Sequence, residues 1–178
     1  MWASCLQSNE EASDAMSVAT EIQSPHPFDY VDETSIFLAG SIEMGAAVDW
    51  QRQLCKDLSK YPITILNPRR DDWDSSWAQS IKNKKFKQQV DWEMDALDFA
   101  DIVVFYFDPN TKSPITLMEL GIQAEQQQYQ WDKTVIVCCP EGFWRKGNVD
   151  ILCKRYGIKL VDSYPKLVKA LKPYFKDL

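Results

Sequence analysis

The stretch "ADIVVFYFDP", residues 100–109, constrains the fold of this chain more than any other. Its apolar centre runs from Ile102 to Phe107 without alternating with charged or amide side chains. A strand with one wet face alternates apolar and polar residues. An unbroken run is typical of a strand covered on both faces, as in parallel sheets sandwiched between helices.

The flanking pattern agrees. "SIFLAG" (35–40), "PITILNP" (62–68), residues 133–138 and "IKLV" (158–161) are further short apolar runs. Segments with helical spacing separate them: 47–61, about 80–99, 113–125, about 149–156 and 163–176. Strands alternating with helices predict an open, doubly wound α/β fold. A chain of 178 residues, 45% hydrophobic, is enough for one domain with a real core. Residues 1–32 are polar, Ser/Glu/Ala-rich and interrupted by Pro25 and Pro27, and read as a flexible extension to a domain spanning 33–178.

Charge and composition exclude several functions. Twenty Lys and Arg against 26 Asp and Glu give a net charge of −6, without the basic footprint of a nucleic-acid binder. The one basic cluster, "KNKKFK" (82–87), reads as a solvated helix face. No apolar run is long enough to span a membrane. Cys5, Cys55, Cys138, Cys139 and Cys153 form no C-x-x-C pair, and with a single histidine no zinc-ligand spacing arises. An odd cysteine count without a signal peptide predicts a reducing, cytoplasmic setting. The only histidine, His26, lies between two prolines in the polar leader. Acid–base chemistry must therefore come from carboxylates, tyrosines or lysines.

In an open α/β sheet ligands bind beyond the carboxyl ends of the strands. The loops there are "AGSIEMG", "NPRRDDWD", "DPNTKSP" and "CPEGFWRKGN". They offer Gly40, Ser41, Ile42, Glu43, Asn67, Asp72, Trp73, Ser113 and Asn148 as candidate substrate contacts. The two glycines of "GSIEMG" suit either a tight turn or close approach of a ligand to the backbone.

Two acids occupy unexpected places. In "SPITLMELGIQAE" (113–125), Glu119 interrupts an apolar helix start. With Thr116 it has the T-x-x-E spacing of a capping box; the other reading is a nucleophile at the mouth of a site. On helix 80–99, Phe86, Val90, Met94 and Leu97 form an apolar stripe, and Glu93 falls within it. A carboxylate on a packing face needs a partner or a function, so it either pairs with Arg69, Arg70 or a lysine, or works in a site. Two such acids near the ends of neighbouring elements suit glycosidic-bond chemistry, with one ionised and the other carrying a proton.

With these residues assembled, "IFLAGSIEMG", "LNPRRDDWD", "QVDWEMDALDFADIVVFYFDP", "SPITLMELG" and "FWRKGN" resemble the nucleoside 2-deoxyribosyltransferase-like family over about residues 34–160. The resemblance implies a flavodoxin-like fold with a five-stranded parallel sheet in the order 2-1-3-4-5, and homodimers or larger homo-oligomers. It implies a retaining double displacement on C1′ of a 2′-deoxynucleoside, with transfer to another base or to water and no cofactor. By resemblance Glu119 is the nucleophile, and Glu93 replaces an aspartate that contacts the sugar or base. Ser113 stands where the transferases have Asp and the related deoxynucleoside monophosphate glycosidases have Ser. Glu43 stands at an arginine position of the glycosidases' phosphate loop, where a negative charge repels a 5′-phosphate. Asn148 matches a polar residue that reaches the neighbouring subunit's site. The alternative is a nucleoside- or nucleotide-sensing module that keeps the fold and binds without turnover.

Overall fold

The computed structural model describes residues 19–29, 31, 33–41, 48–130 and 132–176. Six parallel strands form one sheet: β1 (Thr20–Gln23), β2 (Thr34–Gly40), β3 (Ile63–Asn67), β4 (Ile102–Tyr106), β5 (Thr134–Cys138) and β6 (Lys159–Val161). Their order is β1-β3-β2-β4-β5-β6. Without β1 this is the expected 2-1-3-4-5 order. The five-strand count is thus corrected to six by an edge strand drawn from the segment assigned to the N-terminal extension.

Physical reasons kept β1 out of sight in the sequence. "TEIQ" is four residues long and mostly polar, as suits an edge strand that needs only one apolar side chain. It pairs with β3 in the register Thr20↔Thr64 to Gln23↔Asn67. Beyond it, Ser24 N donates to Asn67 O, Trp92 Nε1 donates to His26 O, and the Phe28 ring meets Trp92 edge-on. Residues 19–28 therefore pack on the domain, and the sheet extends across the boundary expected at residue 32.

Among the described residues four α-helices connect strands, α1 (Trp50–Leu58), α2 (Lys84–Phe99), α3 (Pro114–Gln126) and α4 (Lys146–Tyr156), and α5 (Tyr164–Leu171) follows β6 and leads into a 3-10 turn. Helices α1 and α5 cover one face of the sheet over Ile36, Leu38, Ile65, Val104 and Ile136. Helices α2, α3 and α4 cover the other over Phe37, Leu66, Val103, Phe105 and Val137. Successive β4 residues thus serve opposite cores, which is why its sequence shows no alternation.

Helix starts follow local chemistry. Asp49 caps α1 by accepting from Arg52 N, and Asn83 caps α2 by accepting from Lys85 N and Phe86 N. The Asn83 cap places the start of α2 a turn later than the apolar spacing suggested. Its buried face is Gln89, Trp92, Ala96 and Leu97, while Val90 and Met94 are each 37% exposed. The predicted stripe was therefore rotated: it counted Val90 and Met94 but not Trp92, which anchors α2 between Phe28 and Phe37.

Candidate active site

Both suspected acids lie at the boundary between α2 and α3. Glu119 is buried, with 6% of its surface exposed, and Glu93 is half-buried. Burial pushes the Glu119 carboxyl up to about 8, and the charge of Glu93 pushes in the same direction. Burial likewise raises Glu93, to about 7, against the opposing effect of a hydrogen bond from Gln89. Repulsion between two acids is mutual, so the two titrations are coupled, and burial favours the protonated form of each.

The capping-box reading of Glu119 does not survive. The N-cap of α3 is Ser113, three residues before Thr116, so Glu119 sits in the second turn, too deep to cap. Nor does Glu93 form an ion pair among the described residues: Arg69 pairs with Asp49 at 3.5 Å, and Arg70 pairs with Asp72. Glu93 instead accepts a 2.8 Å hydrogen bond from Gln89 Nε2.

Ser113 is the one non-glycine residue with positive φ among those described, at φ 47 and ψ 48. Such a conformation is uncommon outside glycine and, where it persists, clusters at functional sites. The Ser113 side chain makes no cap; its Oγ lies 2.7 Å from Thr111 Oγ1. Because Thr111 Oγ1 already donates to Asp108 O, the Ser113 hydroxyl is the donor and keeps its acceptor capacity.

Gly40 ends β2 directly beneath Trp50. A Cβ there would lie 2.7 Å from Trp50 Nε1, so this close approach requires glycine. Trp50 Nε1 and both amide atoms of Gln51 are buried without a hydrogen-bond partner among the described residues. Unpaired polar atoms at the start of α1, beside the carboxyl end of β2, call for an explanation, and a ligand-binding role is one. Ser41 follows Gly40. Ile42 and Glu43 lie outside the described residues.

The loop after β3 is more structural than expected. Asn67 donates from Nδ2 to Glu21 Oε1 at 2.7 Å and accepts from Arg69 N, which commits its amide at both ends. Asp72 is exposed and holds Arg70 through two bonds, at 2.6 and 3.0 Å; the guanidinium keeps its carboxyl below the usual range. Trp73 packs edge-on against Trp77, and Trp77 in turn stacks near Arg70. Asn148 is exposed at the start of α4, where it lines a groove of about 330 Å³ with Leu117, Leu120 and Trp144. That groove runs between α3 and α4. Sequence reasoning missed Gln89, because a glutamine in a helix carries no signal by itself. It missed Gln51 for the same reason. Among the described residues no group of three or more His, Cys, Asp or Glu could hold a metal ion, and no helix is long and apolar enough to cross a membrane.

A family model described as nucleoside 2-deoxyribosyltransferase like matches residues 33–143. Among solved structures, the chain is similar to a conserved protein from Enterococcus faecalis V583, at 16% identity and a TM-score of 0.55. That alignment covers 80% of this chain and 99% of the other, and it shows the fold. No curated protein matches the chain.

Proposed function

The chain belongs to the nucleoside 2-deoxyribosyltransferase-like family, and we propose that it cleaves the N-glycosidic bond of 2′-deoxynucleosides through a 2-deoxyribosyl ester of Glu119. The observation that carries this reading is the pair itself: two desolvated glutamates from neighbouring helices, neither ion-paired among the described residues, with burial favouring the protonated form of each.

In the first step Glu119, as carboxylate, attacks C1′ as the bond to the base nitrogen breaks. The electron pair leaves with the nitrogen, which takes the proton held by Glu93. In the second step the nitrogen of another base, or water, attacks C1′ and releases Glu119. Its proton goes to the now ionised Glu93, and the pair again holds one proton. Ser113 Oγ has acceptor capacity for a sugar hydroxyl. Gly40 and Ser41, at the carboxyl end of β2, and Asn67 and Asp72, at and beyond that of β3, are the site's candidate contacts from the neighbouring strands. Trp73 belongs to a loop that can cover it.

A second copy of the chain is part of the proposal. Val90 and Met94 on α2, and Ile115 and Met118 on α3, are 37–57% exposed and flank the level of the two acids. An apolar face beside a reacting centre suits a subunit contact, through which Asn148 can reach a neighbour's site. The rival reading, binding without turnover, draws on the burial of Glu119, which favours its neutral form, since a neutral acid donates a hydrogen bond but does not attack.

Incubating the protein with each 2′-deoxynucleoside, with and without a second free base, tests the reading. A new nucleoside means transfer and free base alone means hydrolysis. Stoichiometric binding with neither product, and no loss of affinity in Glu119→Ala, replaces the enzyme by the binding module.

A further inference from the structure

The Gln89 amide is buried, and its hydrogen-bonding capacity is filled in only one orientation. Nε2 donates to Pro68 O and to Glu93 Oε1, both at 2.8 Å. Oε1 accepts from Ser24 Oγ at 2.7 Å and from Arg70 Nη1 at 3.5 Å. Turning the amide over would set its N–H groups against the Arg70 guanidinium, which can only donate. It would also set its oxygen against the Pro68 carbonyl, which can only accept. The N–H is therefore locked toward Glu93. Three parts of the chain do the locking: the leader through Ser24, the loop after β3 through Arg70 and Pro68, and α2 itself.

We propose that Gln89 is the positioning residue of the carboxylate pair: its locked N–H holds the charge on Glu93 and leaves Glu119 the protonated member in the substrate-free protein. This deepens the enzyme reading of the same site and rests on it for its catalytic meaning. An N–H facing a carboxylate oxygen binds the ionised form more strongly than the neutral acid. Nothing comparable acts on Glu119 among the described residues. The charges around Glu93 are few. Glu119 faces it from α3, and the Arg70 guanidinium reaches it only through Gln89 and is already paired with Asp72.

The consequence is a resting state with the nucleophile masked. Moving one proton from Glu119 to Glu93 makes the first a carboxylate nucleophile and the second an acid, with no proton gained or lost by the site. The difficulty of that transfer is set by how strongly Gln89 favours charge on Glu93. It is therefore tied, through Ser24, to the N-terminal segment.

The test is a titration of the side-chain carboxyl carbons of ¹³C-labelled glutamate in the full chain without substrate, with Glu93→Gln and Glu119→Gln assigning the two signals. In Gln89→Met the N–H is gone, and the Glu93 midpoint should rise by about one pH unit. The Glu119 midpoint should fall as the proton moves off it, an opposite pair of shifts that simple loosening of α2 would not produce. Gln89→Leu also removes the N–H, sets no oxygen against Pro68 O, and should shift the two midpoints in the same opposite directions; it provides a reading if Gln89→Met does not fold. Midpoints that stay in place, or move together, in a folded variant overturn the inference. The titration does not depend on turnover. Opposite shifts in a protein that cleaves no nucleoside would sink the enzyme reading and leave the positioning role standing.

Discussion

Glu119 on α3 is held above the ordinary carboxylate range by its burial and by the charge of Glu93 on α2, so two acids from neighbouring helices act on each other. Their carboxyls, raised to about 8 and about 7 in the folded protein, must ionise against burial. The native state therefore keeps protons that the unfolded chain, with ordinary glutamates, gives up. Stability should fall as pH rises from about 4.5 to about 8 and then level off. Thermal melts across this range should show the decline in the wild type and a flatter profile in Glu119→Gln, each kcal/mol of relief being worth about 2–4 °C. A wild-type melting temperature that climbs between pH 5 and 8 would contradict the burial of the pair.

Loss of either acid should affect turnover differently. Glu119→Gln removes the nucleophile and should abolish ester formation while the protein stays folded. Glu93→Gln should reduce the rate by about 10² to 10⁴, the usual contribution of a positioned proton donor. Leaving bases that depart without a proton should recover most of that loss in Glu93→Gln and none in Glu119→Gln. Equal recovery in both variants would mean the roles are not divided in this way.

Gly40→Ala brings a methyl group within 2.7 Å of Trp50 Nε1 and should cost about 1–3 kcal/mol through overpacking. Trp50→Phe in the same chain makes room and should return part of the loss. Calorimetry on both single variants and the double gives the coupling; strictly additive losses would mean that the two side chains do not meet.

The apolar face of Val90, Met94, Ile115 and Met118 should keep copies of the chain together. Sedimentation velocity of the double variant Met94→Glu and Met118→Glu should show a smaller species than the wild type, with melting of the isolated subunit little changed. A wild type that sediments as a monomer at high concentration removes the subunit contact from the proposal.

Much of the fold was legible because β2, β3, β4 and β5 are short apolar runs closed by Gly, Pro or polar loops, and the helices between them keep their spacing. The edge strand was not legible: four mostly polar residues in a polar leader look like the leader. Glu119 and Glu93 stood out as acids among apolar neighbours, even though the stripe used to place Glu93 was rotated by a fraction of a turn. The error was harmless, because Glu93 lies next to Trp92 and falls on the inner side of α2 with either stripe. What sequence could not give was partner assignment. Asn67 turns to Glu21, Arg70 to Asp72 and Gln89 to four groups at once, and these choices follow from strand pairing and loop paths rather than from residue type.

The edge strand has one more consequence. Without Thr20–Gln23 the border of the sheet would be β3, Ile63–Asn67, in which every residue is buried. Such a border offers unpaired N–H and C=O groups beside apolar side chains, the template on which strands of other molecules add and aggregates grow. The short strand pairs that border from within the chain and leaves an edge of Thr, Glu and Gln, with Glu21 held by Asn67. The leader thus protects the solubility of a domain whose remaining strands would otherwise invite their own kind.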